Sequence, residues 1–231
     1  MRRAFLPFTL ALAALVAAPA IAGPIGVHPG IKVGVAVANF DGNLSDTADL
    51  KSRSQMTYGG FLRLDVGRVV SLQPEVQYVP RGGTGTFVIT DDLGAPLGTV
   101  DGTMKLDYLE IPMLLKFRFP SGGALAPNFY VAPAAAINLA SKLEADLSAL
   151  GLPAGSTEAD IKDEIETLDF GGSIGGGFDF RAGTGILTVD ARYTLGFGEI
   201  FKAAEAGGVA GLGSAFDDKS RTLSVTLGYA F

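Results

Sequence analysis

The sequence of 231 residues contains no cysteine and a single histidine, His28. Without thiols it can form neither disulfides nor thiolate metal sites. One imidazole cannot build a histidine-rich metal centre either. A basic surplus is also missing, since 18 Lys and Arg stand against 24 Asp and Glu. Nucleic-acid binders present a basic stripe, so an acidic chain argues against nucleic acid as a partner. Beyond residue 22, no apolar run reaches the roughly 18 residues that a membrane helix needs. Yet hydrophobic residues make up 48% of the chain, and glycine supplies 32 positions. High hydrophobicity spread over short alternating segments is the pattern of a transmembrane barrel. Soluble β-sandwiches alternate too, so the content of the other face and the loop arrangement must discriminate.

The N-terminus reads as a secretory signal. Arg2 and Arg3 form a positive start, Ala4–Ala18 is mostly apolar, and Ala20-Ile21-Ala22 is an A-x-A cleavage site. The apolar run is broken by Pro7 and Pro19 and is short for an anchor. The expectation is a cleaved signal over 1–22 and one barrel domain over 23–231. Without Arg2 and Arg3, 16 basic residues face 24 acidic ones, a net charge of −8.

The final segment, Arg221–Phe231, sets the pattern for the rest. Leu223, Val225, Leu227, Tyr229 and Phe231 fall on one face, with Thr222, Ser224, Thr226, Gly228 and Ala230 on the other. Period-two alternation marks a strand with one apolar side, and small polar groups opposite it suit a barrel with its apolar side outward. The same alternation predicts strands at Ile31–Asn39, Gln55–Val66, Val69–Val79, Met104–Phe119, Asn128–Ala140, Leu168–Phe180 and Leu187–Phe197. Phe61 breaks the alternation of the second. Arg81–Thr103 reads as a hairpin extending past the membrane. Within Ser141–Glu166, apolar residues spaced at three or four predict two short amphipathic helices in an external loop. Short connections at Gly67-Arg68 and Ala182–Gly185 alternate with long loops. The expected fold is all-β: a transmembrane antiparallel up-and-down barrel of about eight strands with a short helical insertion.

Strand charges carry the site prediction. Arg63, Asp65, Glu75, Glu110, Lys116, Arg118, Asp179, Asp190 and Arg192 all fall opposite the apolar face. A basic side chain facing lipid at mid-depth costs about 2–4 kcal/mol, so these groups belong in the lumen. Acids and bases are nearly balanced, and an eight-strand interior is just wide enough for side chains to fill. Mutual pairing into a structural network is the bland reading; an ion or substrate path is the sharper one.

Other motifs fail on inspection. Asp41–Asp46 resembles half of a calcium loop, but the sixth position is Asp46 rather than Gly and the twelfth is Ser52 rather than Glu. The glycines of the sixth strand do not satisfy G-x-G-x-x-G, and no helix follows them. His28 reads as an exposed residue outside every strand. Asp169 and Asp179 are paired carboxylates with nothing to set them around a cleft. No nucleophile with a base is evident, so no enzyme and no cofactor are expected.

Three stretches, LQPEVQYVPRG (Leu72–Gly82), LDYLEIPMLLKFRF (Leu106–Phe119) and LTVDARYTLGFGEI (Leu187–Ile200), together resemble the outer-membrane β-barrel family that includes the PorT-like proteins. The resemblance implies a small OmpA- or OmpX-like barrel of eight strands. It implies insertion into outer-membrane lipid by the barrel-assembly machinery through the C-terminal strand. The secretion role linked to PorT itself does not transfer on scaffold residues. The expected task is structural or interaction-based: loop presentation, envelope integrity, or a secretion or adhesion complex with a protein partner at the external loops. Its rivals are a narrow pore or small-solute conduit, a soluble periplasmic lipocalin-like barrel with an apolar lumen, and a lipid-acting enzyme.

Overall fold

The structure, a computed structural model, describes residues 25–41, 51–90, 96–119, 121, 123–146, 156–197 and 219–231. The expected signal over 1–22 lies outside the described residues, as do 42–46 of the calcium-like stretch and most of loop 199–220.

The described residues form nine strands: β1 (Gly26–Asp41), β2 (Lys51–Val66), β3 (Val70–Thr90), β4 (Pro96–Arg118), β5 (Leu125–Asp146), β6 (Ser156–Asp160), β7 (Leu168–Ala182), β8 (Gly185–Gly196) and β9 (Lys219–Ala230). All except β6 form a ring of eight. Each pairs antiparallel with its neighbours in sequence, β7 taking its place beside β5. Pairing of β1 with β9 closes the ring, Val35 lying opposite Val225. A closed sheet leaves no unpaired edge, which lets it cross hydrocarbon. Tight connections gather at one end, where Gly67 and Gly183 adopt positive φ of 70° and 63°. The long connections lie at the other end.

The side-chain parity is that of a barrel in lipid. Outward-facing Ile31, Met56, Ile174 and Val225 are 62%, 67%, 62% and 53% exposed, whereas inward-facing Arg63, Lys116 and Glu75 are 1% exposed or less. A lipocalin-like barrel has the reverse arrangement, and this contrast removes that rival. Near the tight turns, aromatic rings line the outer wall: Phe117 and Phe119 stack on Phe129 with centroids 5.0 and 5.9 Å away, and Tyr229 meets Phe231 edge-on at 5.2 Å. Further along the barrel Tyr58 stacks on Tyr78 at 5.1 Å. Two such rings of aromatics are expected where a barrel wall meets the two interfaces.

Phe61, the residue that breaks the alternation, is buried inside. Its ring fills space left by a glycine on the next strand, since a Cβ at Gly30 would stand 2.3 Å from Phe61 Cζ and 2.6 Å from the Tyr229 carbonyl oxygen. Overpacking of this kind costs about 1–3 kcal/mol. Gly30→Ala is therefore expected to lower the urea midpoint of the barrel refolded in lipid vesicles. An unchanged midpoint would show that the Phe61 ring can move aside freely.

Two expectations need correcting. Of the segment expected to form helices, 141–146 and 156–160 are strand and Lys162–Glu164 is a 3-10 turn, while 147–155 lie outside the described residues. β5 continues to Asp146, pairing with the extended β4 as far as Asp101, and β6 then pairs back onto β5. Short amphipathic helices are marginal without a packing partner, whereas the protruding β3–β4 hairpin offers a backbone edge that needs one. A register shift between Asp107 and Tyr108 against β5 resets the parity there, so Ser141 faces inward. Ile161 and Ile165 are buried by the returning chain, where the Ile161 N–H donates to Ser141 O at 3.0 Å. On the exposed side Lys142 pairs with Glu158 at 2.5 Å, and that hydrogen bond raises the ammonium above its usual pKa. His28 is the second correction. It lies within β1, opposite Arg63, and its Nδ1 is 3.1 Å from Phe231 O.

Candidate functional site

The inward positions of eight strands converge on one polar column through the lumen. At the tight-turn end, Arg63 from β2 donates to Asp65 at 2.8 Å and, across the barrel, to Asp179 of β7 at 2.8 Å. Arg118 at the end of β4 reaches Asp65 at 2.9 Å, and Asn128 of β5 donates to Asp179 at 3.1 Å. Lys116 continues the chain of charges, 3.6 Å from Asp179 and 3.4 Å from Asp190 of β8.

The middle of the column is built on Glu75. Its carboxylate accepts from Lys32 at 2.7 Å, Arg192 at 2.6 Å and Gln73 at 2.6 Å, and also from Gln77. These donors come from three strands, β1, β8 and β3, so a single acidic group ties separated parts of the wall together. The Tyr130 ring packs between two cations, 5.6 Å from Lys116 Nζ and 5.4 Å from the Arg192 guanidinium. Cations over an aromatic face gain electrostatic attraction where water is excluded.

Toward the long connections, Arg81 of β3 is the hub. It pairs with Glu110 of β4 and with Asp169 of β7 at 3.3 Å, and donates to Ser220 of β9 at 2.8 Å. Its guanidinium lies 4.5 Å from the Tyr108 ring centroid.

All nine residues expected in the lumen point inward. Seven are buried, while Asp65 and Arg118 keep 14% of their side chains exposed at the tight-turn end. Glu110 joins the Arg81 hub, and the other eight form the tight-turn and middle clusters. Sequence reasoning left out Lys32, Arg81 and Asp169. Arg81 was legible in principle: inward parity runs through Ser71, Gln73, Glu75, Gln77 and Val79 to Arg81 without a break, but the expected strand stopped at Val79.

Electrostatic balance determines what such a column can do. Six cations (Lys32, Arg63, Arg81, Lys116, Arg118 and Arg192) face six anions (Asp65, Glu75, Glu110, Asp169, Asp179 and Asp190), and each makes an ion pair. With no net charge, the column has no surplus with which to concentrate one sign of ion. Among the described residues, eight buried polar side-chain atoms lack a hydrogen-bond partner, Gln73 Oε1, Asp190 Oδ2 and Ser71 Oγ among them. Buried polar groups of this kind are commonly satisfied by ordered water.

A family model described as "Outer membrane protein beta-barrel domain" matches residues 18–202. No curated protein is significantly similar in sequence. Among solved structures, Neisserial surface protein A is 12% identical, over 89% of this chain and 99% of its own, with a TM-score of 0.44. Ail, the attachment invasion locus protein of Yersinia pestis, is 12% identical over 88% of this chain and 98% of its own, with a TM-score of 0.42. The outer membrane enzyme PagL is 15% identical over 85% and 97%, with a TM-score of 0.32.

Proposed function

The chain belongs to the outer membrane protein beta-barrel domain family, and on that premise we propose that this bacterial outer-membrane protein is a non-enzymatic barrel with a plugged lumen. Its role is structural or interaction-based: it presents the long-connection end to a protein partner, in envelope maintenance or in a secretion or adhesion complex. The narrower PorT-like reading rests on the three strand motifs. In this reading residues 1–22 are removed on export, and the barrel-assembly machinery inserts the mature chain through β9.

The observation that carries the proposal is the pairing of six lumen cations with six anions. Breaking a buried pair costs about 3–5 kcal/mol, so a column of such pairs resists opening. What reaches beyond the membrane supports an interaction role. The β3–β4 hairpin stays paired out to Thr90 opposite Pro96, well past the 9–11 residues that a strand needs to cross a bilayer.

The second reading, a narrow water-filled conduit, is favoured by the eight unpartnered polar atoms. Planar-bilayer recording separates the two. The plugged barrel is expected to give no unitary steps above the seal leak, and Glu110→Ala and Arg118→Ala should leave that baseline flat. Steady steps from the wild type, altered by either substitution, would establish the conduit instead.

A further inference from the structure

The tight-turn end opens into a cavity of about 850 Å³ whose charge differs from the rest of the column. Four arginines line it, Arg63, Arg68, Arg118 and Arg181, against two acids, Asp65 and Asp179. Arg63 and Arg118 are engaged by those acids. Arg68 and Arg181 have no side-chain hydrogen bond or ion pair among the described residues. They stand on different turns, the first after β2 and the second at the end of β7, and both face the same cavity. The connecting residues 67–69, 119–124 and 183–184 contain no Asp or Glu. Two positive charges are therefore uncompensated at the mouth of a chain that carries a net charge of −6.

Two further observations indicate what would fill the space. Arg118 lines the cavity, and its guanidinium is only partly engaged: one terminal nitrogen reaches Asp65 at 2.9 Å, while the buried Nε has no acceptor. The turn glycines Gly67, Gly123 and Gly183 have nothing within 4 Å of where a Cβ would lie, which keeps the rim open.

We propose that this vestibule is a binding site for a phosphoryl group, held between Arg68 and Arg181 with Arg118 beneath. Guanidinium forks match phosphoryl oxyanions in bidentate geometry, whether a phosphodiester monoanion or a phosphomonoester dianion. The volume is larger than a bare phosphate needs, leaving room for an organic body attached to it. Short turns face the periplasm in barrels of this kind, so the phosphoryl group would come either from a soluble periplasmic compound or from a phospholipid headgroup of the inner leaflet. The site is independent of whether the lumen above it conducts.

The test is titration calorimetry of the full barrel with inorganic pyrophosphate, in zwitterionic detergent at low ionic strength. The expected result is saturable one-to-one binding that weakens as salt is added. Arg68→Ala/Arg181→Ala should weaken it at least tenfold while heat-modifiable gel migration stays unchanged, and Lys142→Ala at the opposite end should leave it intact. Repeating the titration in nanodiscs identifies the source. If phosphatidylglycerol lowers the apparent affinity severalfold relative to phosphatidylcholine alone, a headgroup occupies the site; equal affinities assign it to a soluble phosphoryl compound. No saturable binding by the wild type, or equal binding by the folded double variant, overturns the proposal.

Discussion

Glu75→Ala is expected to destabilise the barrel by about 3–5 kcal/mol, the cost of leaving buried charges without their partner. Glu75 is 1% exposed and is the shared acceptor for Lys32 and Arg192. Removing it strands the cations of β1 and β8 and leaves the Gln73 and Gln77 amides without their acceptor. Urea unfolding from lipid vesicles, followed by tryptophan-free far-UV signals or gel mobility, would measure the loss. Lys32→Met combined with Glu75→Gln provides the control: it removes one charge of each sign, keeps the column neutral and retains a hydrogen-bonding amide. Replacing a buried ion pair by groups of similar size is often close to neutral, so this double variant should recover at least half of the loss. A deficit below about 1 kcal/mol for Glu75→Ala would have a different meaning. Such a value is typical of solvent-exposed pairs, and it would indicate a lumen wet enough to screen its own charges, as a conduit requires.

The wall of the barrel was legible in the sequence because its signal is local. A strand in contact with lipid on one side and a polar lumen on the other must alternate, and each segment shows this without reference to its neighbours. Hence Lys116 and Glu110 could be placed inside and Ile174 and Val225 outside from spacing alone, as the structure bears out. What could not be read locally was how far each strand runs. β3, β4 and β5 continue beyond the membrane because each supplies the hydrogen-bonding edge of the next, and no single segment encodes that. Arg81 was lost for this reason, and with it the hub that joins Glu110 to Asp169. The misread helices share the cause: Leu143, Ile161 and Ile165 have helical spacing, but pairing with β4 and the return of β6 decide the conformation. Lys32 lay on the inward face by parity. Its importance comes from Glu75, which is 43 residues away in sequence and adjacent only once β1 and β3 pair on either side of β2.

Val225→Arg is expected to cost about 2–4 kcal/mol of folding stability in lipid, whereas Phe231→Arg should cost only about 0–1 kcal/mol. Both side chains project to the outside, Val225 from within β9 and Phe231 just past its end, and are well exposed, at 53% and 60%. They differ in depth. Val225 lies between Val35 and Ala191 on the neighbouring strands, near the middle of the apolar band. Phe231 stands beside Tyr229 at the aromatic ring near the tight turns, where an arginine can extend its charged end into the headgroups. The comparison uses one strand and one introduced residue, so differences in intrinsic strand preference largely cancel. Equal penalties at the two positions, or none at either, would mean that Val225 does not face hydrocarbon. Folding into vesicles of thinner lipids provides a second check. As the hydrocarbon layer narrows, the Val225→Arg penalty should shrink, because the substituted site comes nearer to an interface. A soluble protein has no reason to show that dependence, and the thickness series therefore tests the membrane as the solvent of this face independently of the size of the penalty.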